Sequence, residues 1–435
     1  MEWWLSLLII FGGFVVLMAI GVPVAFSFTM VNIVAVLVFM GGTASLSQLM
    51  LSIFDSVVNF SLLSVPFFLL MGEVLFHSRI GFVALDVMDK WLGRLPGRLA
   101  LLAVSGGTLF GALSGSSVAT SALLGSVLVP EMEKRGYKHP MSLGPVMGSA
   151  GLDIMIPPSA LAVLLGTLAH IPVGDILVGG VVPGLLMAAL FATYIIIRCK
   201  LQPHLAPPYE VQNIPLSDKI ISTLRLLPMG IIVFLVIGLI FLGVATPTEA
   251  AAAGALGCIV VAFLYRAMDL EAINKSIFGT VHITVMMLMI LTGSTAFAQV
   301  LAYVGATQGL VEVVIGLSVE PIVVLFLMQA VLMIMGCFME PLSIMMVTLP
   351  IFMPVVQQLG FNQVWFAVIM LLNMGMATLS PPFGLVLFAM KGVAPSGTTM
   401  GQIYRAAYPF LGLELVAMIL MVAFPPIVLW LPGRM

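Results

Sequence analysis

Long apolar runs, each closed by a glycine, proline or charged break, recur along the whole chain and predict a series of membrane-crossing helices. The runs cover residues 4–20, 24–40, 54–76, 176–197, 226–242, 250–265, 280–303 and 403–431. Residues 82–95 and 308–317 are amphipathic instead. Residues 99–132 and 321–356 are apolar at both ends and interrupted mid-way by small or polar residues, as in a hairpin. Residues 141–169 and 364–390 each predict a helix broken at a proline pair, Pro157-Pro158 and Pro381-Pro382.

These irregular segments form a repeat. GALSGSSVATSALLGSVLVPEMEKRGY at residues 111–137 returns, diverged, as GCFMEPLSIMMVTLPIFMPVVQQLGF at residues 336–361. One shift of 224 residues relates Pro130 to Pro354, Gly136 to Gly360, Tyr137 to Phe361, Gly151 to Gly375 and the first proline pair to the second. Matched, interrupted apolar segments in two halves of a chain point to a transporter binding site.

Composition fixes the class. The chain is 61% hydrophobic and 8% charged, where a soluble domain carries about a quarter charged residues. Barrel strands alternate apolar and polar positions, and these runs do not. The fold class expected is therefore an all-α polytopic membrane protein. Cys199, Cys258 and Cys337 have no metal or disulfide spacing. The net charge of −2 says nothing about nucleic acid. Glu2-Trp3-Trp4 stands where a signal peptide would be basic, so no cleaved leader is expected.

Basic residues then set orientation. If residues 99–132 enter and leave on the same side, Arg79, Lys90, Arg94, Arg98, Lys134, Arg135 and Lys138 share one face. Crossing out and back puts Arg198, Lys200, Lys219 and Arg225 there too, followed by Arg266, Lys275, Lys391 and Arg405. Arg434 alone falls opposite. A simple spanning helix at 99–132 would destroy this segregation, so the charges favour a re-entrant hairpin. They predict both termini outside and a proline-rich cytoplasmic linker over 198–225. The second hairpin then opens from the other face, making the repeats inverted. The expected division is 1–98 (scaffold and first arm), 99–197 (first hairpin, broken helix and span), the linker, 226–317 (second scaffold and arm) and 318–435 (second hairpin, broken helix and final span).

Irregular backbone within a membrane must be buried in protein or line a wet cavity. Ser114, Gly115, Ser116 and Ser117 read as the first hairpin tip, with hard oxygen ligands for a small cation. Pro157 frees carbonyls before it, between Asp153 and Ile156, and the half-helix after it offers N–H groups to an anion. The second repeat supplies Glu340 at the tip and Thr378, Leu379 and Ser380 at the break. One cation site per repeat follows, with substrate between the tips lined by Ser116, Ser117, Thr120, Ser159 and Gly384. The bland readings stand beside it. A Gly/Ser cluster serves close helix packing, and a proline pair serves a kink. Glu340 serves as a cap at its tip, and Asp153 as a partner for loosened backbone. Glu73 and the five histidines fall mostly at span ends and are read as interfacial.

The hairpin, the Pro130–Tyr137 exit, IPPS at residues 156–159, VVPGLL at 181–186, residues 336–340, the Pro350 and Pro354 pair and SPPFG at 380–384 together resemble the large membrane subunit of tripartite ATP-independent periplasmic (TRAP) transporters. The resemblance runs from about Gly21 to Pro409. It implies an elevator-type fold, in which a unit holding both hairpins and both broken helices slides against a fixed scaffold, with residues 82–95 and 308–317 as arm helices. It implies sodium-coupled import of a small organic acid into a bacterium across its inner membrane. It also implies a small four-helix membrane (Q) subunit, expected here as a separate chain, and a periplasmic substrate-binding (P) protein. Two positions depart from the family pattern: Glu340 stands where Asp is commoner, and Asp153 where a small or apolar residue is usual. Sodium is the one coupling ion expected, no organic cofactor is, and no GxxxxGK[ST] nucleotide loop is present. The rival readings are a stand-alone elevator-type sodium/organic anion symporter, a channel, and an intramembrane hydrolase using Ser116, for which no histidine or lysine stands at bilayer depth as base.

Overall fold

The two half-chains build the same helices in the same order, displaced by the shift of the motifs. Ser117–Lys134 corresponds to Pro341–Gln358 and His139–Met155 to Gln363–Leu379, with both ends moved by 224 residues. The structure is a computed structural model describing residues 2–42, 44–78, 80–93, 95–114, 116–207, 215–316 and 319–435. Among these residues no strand occurs. Six helices are long and apolar enough to cross a bilayer, or eight if each bent pair is one span.

Local chemistry sets the helix ends. Pro247, Pro321 and Pro341 open their helices at the position where a missing N–H costs nothing. Thr246 with Glu249 and Thr399 with Gln402 form reciprocal capping boxes. Both hairpins end on a glycine in the left-handed region, Gly136 and Gly360. As expected, the broken helices stop at Met155 and Leu379, resume at Ala160 and Leu385, and carry a cis Pro–Pro bond in each gap. The first bends by 40°.

The first hairpin returns to the side from which it starts, as a re-entrant one would. Its arms, Arg98–Ser114 and Ser117–Lys134, pack on each other. The Leu99 N–H donates to the Tyr137 hydroxyl at 3.5 Å, Gly97 lies against Cys199, and the Lys138 N–H donates to the Leu205 carbonyl at 2.9 Å. Both ends of the hairpin and the end of Val173–Leu201 thus share one face.

Each hairpin's first arm packs on its own broken helix, and its second arm packs on the short half-helix of the other repeat. Arg98–Ser114 lies on Gly144–Met155 and Pro321–Gly336 on Gln363–Leu379. Ser117–Lys134 lies on Leu385–Val393 and Pro341–Gln358 on Ala160–Ala169. The broken helices cross at the repeat-related glycines, where a Cβ on Gly375 would stand 3.2 Å from the Gly151 carbonyl. Around this unit, Ser64–His77 packs on Pro247–Leu264 and Leu270–Tyr303, and Phe14, Phe28 and Phe297 interlock Trp3–Ala19, Val24–Phe39 and Leu270–Tyr303. The Asn32 amide donates to the Gly293 carbonyl at 2.7 Å in that interface. Large side chains such as Phe234 and Phe278 point outward, as a lipid-facing surface requires.

Several expected boundaries are corrected. The span expected at 54–76 is Ala44–Val57, a short Phe60–Leu63 turn and Ser64–His77; the break falls where the Asn59 side chain accepts the Ser61 N–H. The helix expected at 280–303 starts at Leu270, because Asp269 caps it well before the apolar run begins. Residues 198–225 are not all linker: Val173–Leu201 and Leu216–Phe241 continue as helix into the charged stretch, since nothing breaks them before Gln202 and after Pro215. Pro208 and residues 209–214 lie outside the described residues, as do Arg79, Arg94 and Leu317. The run at 403–431 ends as helix at Ala423, before Pro425-Pro426.

Candidate functional site

At the first tip, Ser116 is the N-cap of Ser117–Lys134, its hydroxyl oxygen accepting the Ala119 N–H at 3.3 Å. Ser117 turns inward and donates to Asp153 Oδ1 at 2.7 Å, with both residues buried. Tip and broken helix are therefore joined by a hydroxyl–carboxylate bond. The approach needs bare backbone, since a Cβ on Gly111 would stand 2.6 Å from the Asp153 Cβ. Gly115 and the side chain of Ser114 lie outside the described residues. Thr120 is fully buried one turn along the same helix. Ile156 packs on Gly184, and Pro157 faces Phe68 and Val236 across a cavity of about 10 Å³. Neither side chain faces the tip, which leaves backbone carbonyls as their contribution. Ser159, buried, caps Ala160–Ala169 by accepting the Ala162 N–H at 3.3 Å. That bond uses an oxygen lone pair and not the hydroxyl hydrogen.

The second tip is built differently. Glu340 occupies the position equivalent to Ser116, at the N-cap of Pro341–Gln358. It is half-buried, and Ser343 donates to its Oε1 at 3.4 Å on the same helix. Among the described residues it makes no hydrogen bond to the 378–380 backbone. Contact between tip and break runs instead through Cys337, whose thiol lies 3.6 Å from the Pro381 carbonyl. The residue equivalent to Asp153 is Ala377, which meets Gly336. At tip and break, among the described residues, each repeat thus holds one carboxylate, on the broken helix in the first and on the hairpin tip in the second. At the second break Thr378 donates to the Gly375 carbonyl at 2.8 Å, and Ser380 accompanies the buried Leu379. A Cβ on Gly384 would stand 2.5 Å from the Thr378 carbonyl oxygen and 2.8 Å from that of Ser380, so two carbonyls converge there. Such oxygens suit a small hard cation.

Three features were not anticipated. Asn373 donates to both the carbonyl and the side-chain oxygen of Gln329, at 2.9 and 3.0 Å, tying the second hairpin to its broken helix. A cavity of about 410 Å³ opens between the outer helices and the inner unit, lined by Asp55, Asn59, Thr167, His170, Ser294 and Gln357 among others. Glu414 is wholly buried. The apolar run at 403–431 hid Glu414 because a single acid barely changes its pattern; its depth within the run was the available signal.

The chain matches the family model described as "Tripartite ATP-independent periplasmic transporter, DctM component" over residues 11–427. It is 33% identical over 392 residues to the C4-dicarboxylate TRAP transporter large permease protein DctM of Pseudomonas aeruginosa, covering 89% of this chain and 90% of that one. It is 28% identical to the isethionate TRAP transporter permease protein DctMQ of Oleidesulfovibrio alaskensis, covering 98% of this chain and 66% of the relative. In fold it resembles the Alcanivorax borkumensis YdaH transporter, with a TM-score of 0.65 at 13% identity, over 89% of this chain and 90% of that one.

Proposed function

The chain belongs to the DctM family, the large permease component of tripartite ATP-independent periplasmic transporters, and from that premise we propose that it imports a small organic acid by coupling to sodium. As such a component it is a multi-pass bacterial membrane permease, not an enzyme, and it works with a periplasmic binding protein and further membrane subunits. In our reading it sits in the inner membrane with both termini periplasmic. The two halves are inverted repeats, and the unit of both hairpins and both broken helices moves as an elevator against the outer helices. The named substrates of the relatives, a C4-dicarboxylate and isethionate, support a small anion as cargo. The isethionate relative is named DctMQ and is longer than this chain, which supports a small Q subunit as a partner.

The observation that carries the sodium reading is the buried Ser117–Asp153 bond between tip and break. A carboxylate held there without a counter-charge is disfavoured, and a sodium ion among the Ser114–Ser117 tip oxygens, Asp153 and the carbonyls before Pro157 removes that cost. A second ion would use Glu340 and the carbonyls around Thr378–Ser380, where Gly384 lets them converge. Ordering of both tips then completes the anion site. Ser116, Ser117, Thr120, Ser159 and Gly384 line it, beside the helix N-termini that begin at Ser117 and Ala160.

The test is uptake into proteoliposomes holding this chain and its Q subunit, with binding protein preloaded with labelled succinate or isethionate outside. Uptake is expected under an inward sodium gradient and not under a matched potassium gradient. Sodium-driven uptake that ignores the binding protein would favour the stand-alone symporter. Uptake indifferent to sodium would overturn both ion sites.

A further inference from the structure

We propose that Glu414 is a proton-binding site at the crossing of the two broken helices, carried as a neutral carboxyl beside the loosened backbone at residues 148–151. Glu414 lies on Met400–Ala423, which packs against both Gly144–Ala150 and Gln363–Leu379. It is 0% exposed, and neither carboxyl oxygen has a hydrogen-bond partner among the described residues. Its Oε1 would lie 2.9 Å from a Cβ on Gly151, so the carboxyl rests on bare backbone. The Gly148 carbonyl oxygen and the Gly375 Cα both lie 3.7 Å from that same point. There the helix is interrupted between Ala150 and Leu152, and the Gly148 carbonyl takes a long 3.3 Å bond from the Gly151 N–H.

A carboxylate is an acceptor only, whereas a carboxylic acid has a hydrogen to donate. The nearby backbone offers a carbonyl acceptor, which the neutral form can use. Among the described residues Glu414 has no ion-pair partner, its own helix carrying Tyr404, Arg405 and Tyr408 nearer its start. Gly144–Ala150, Gln363–Leu379 and Pro426–Leu429 contain no titratable side chain. The other helices packed on Met400–Ala423 bring His139, Lys391 and, from Val173–Leu201, Asp175, Tyr194, Arg198, Cys199 and Lys200. Tyr194 stacks edge-on against Phe410, one turn before Glu414. None of these forms an ion pair with Glu414. Asp153 is directed at Ser117. A metal ion needs several converging oxygens, and no group of three or more His, Cys, Asp or Glu side chains occurs among the described residues, which favours the proton.

The neutral form is the packed form, so raising the pH should ionise Glu414 and loosen the crossing. The test uses the purified full chain in lipid vesicles. Infrared difference spectra of wild type against Glu414→Gln are expected to show a protonated-acid carbonyl band at neutral pH that fades as pH rises. The melting temperature of wild type should fall towards alkaline pH, while that of Glu414→Gln, a neutral near-isostere, should stay flat. Absence of the band, or a sodium-dependent rise in melting temperature that disappears in Glu414→Gln, would overturn the proposal in favour of an ionised carboxylate holding a metal cation. Should Glu414→Gln not fold, Glu414→Asp keeps the acid and should move the band; an unmoved band counts equally against it.

Discussion

The Ser117–Asp153 bond is short and buried, and a sodium ion bound as proposed would make it charge-assisted, so it is the residue pair on which ion binding should depend most sharply. A hydrogen bond to a charged group contributes about 1.5–3 kcal/mol, so Ser117→Ala is expected to weaken apparent sodium affinity by roughly ten- to a hundredfold. Asp153→Asn keeps an oxygen that can accept the Ser117 bond but removes the charge. It should fold yet lose the rise in melting temperature that sodium is expected to give wild type. If Asp153→Asn keeps that sodium response, Asp153 merely organises loosened backbone and is not a ligand. Gly111→Ala separates packing from chemistry. Its Cβ would meet Asp153 at 2.6 Å, an overpacking that costs about 1–3 kcal/mol, so the melting temperature should fall with and without sodium alike.

Among the elements, Ile80–Leu92, the helix expected as the first arm, joins the inner unit to the outer helices by named contacts. Lys90 and Trp91 bond Ser222 and Thr223 at the start of Leu216–Phe241, while Asp89 receives a two-pronged bond from Arg98 at the foot of the first hairpin, at 2.7 and 2.6 Å. Arg98 is buried and Asp89 is about a third exposed, so solvent screens the pair in part. Breaking it should cost about 1–2 kcal/mol, between the values for exposed and buried pairs. A double-mutant cycle of Arg98→Ala and Asp89→Ala in thermal unfolding should show that coupling, and simple additivity would mean that the arm is not held there. This arm was legible as an amphipathic stretch, and the proline-broken helices were legible to within a few residues, because prolines and a repeated spacing act locally. Ala44–Val57 was not. By the 224-residue shift it corresponds to the beginning of Leu270–Tyr303, yet one repeat breaks this helix at Asn59 and the other runs through. Such divergence is settled by packing against neighbours that no window of sequence contains. The Ser117–Asp153 pairing was legible only as two nearby segments, since a hydroxyl's partner depends on how Gly111 lets two helices close. Glu340 shows the reverse: its place at a tip was readable, while its bond to Ser343 in its own helix was not.

At the scale of the molecule, the repeats share helices but not contacts. Ser64–His77 packs along the first arm of the first hairpin, Arg98–Ser114, whereas its counterpart Leu270–Tyr303 packs along the second arm of the second hairpin, Pro341–Gln358. The arm helices follow the same asymmetry: Ile80–Leu92 lies on Arg98–Ser114, and Ala306–Gly316 on Pro341–Gln358. If the repeats are inverted as proposed, repeats that differ in this way have a natural second state, in which each half takes up the arrangement of the other. If the inner unit slides as proposed, Ser64–His77 should move onto Ser117–Lys134, and Leu270–Tyr303 onto Pro321–Gly336. One bond gives the exchange an address. Ser294 donates to the Met346 carbonyl at 2.5 Å, and the 224-residue shift carries this pair onto Leu70 and Ala122. A disulfide needs Cα atoms within about 7 Å, so Ser294→Cys with Met346→Cys should cross-link in the present state, and Leu70→Cys with Ala122→Cys in the other. With the three native cysteines replaced, each cross-link should block uptake and release it on reduction, and a ligand that favours one state should raise one yield while lowering the other. Cross-linking of both pairs in the same molecule at once would rule out the exchange, because a rigid inner unit cannot occupy both positions.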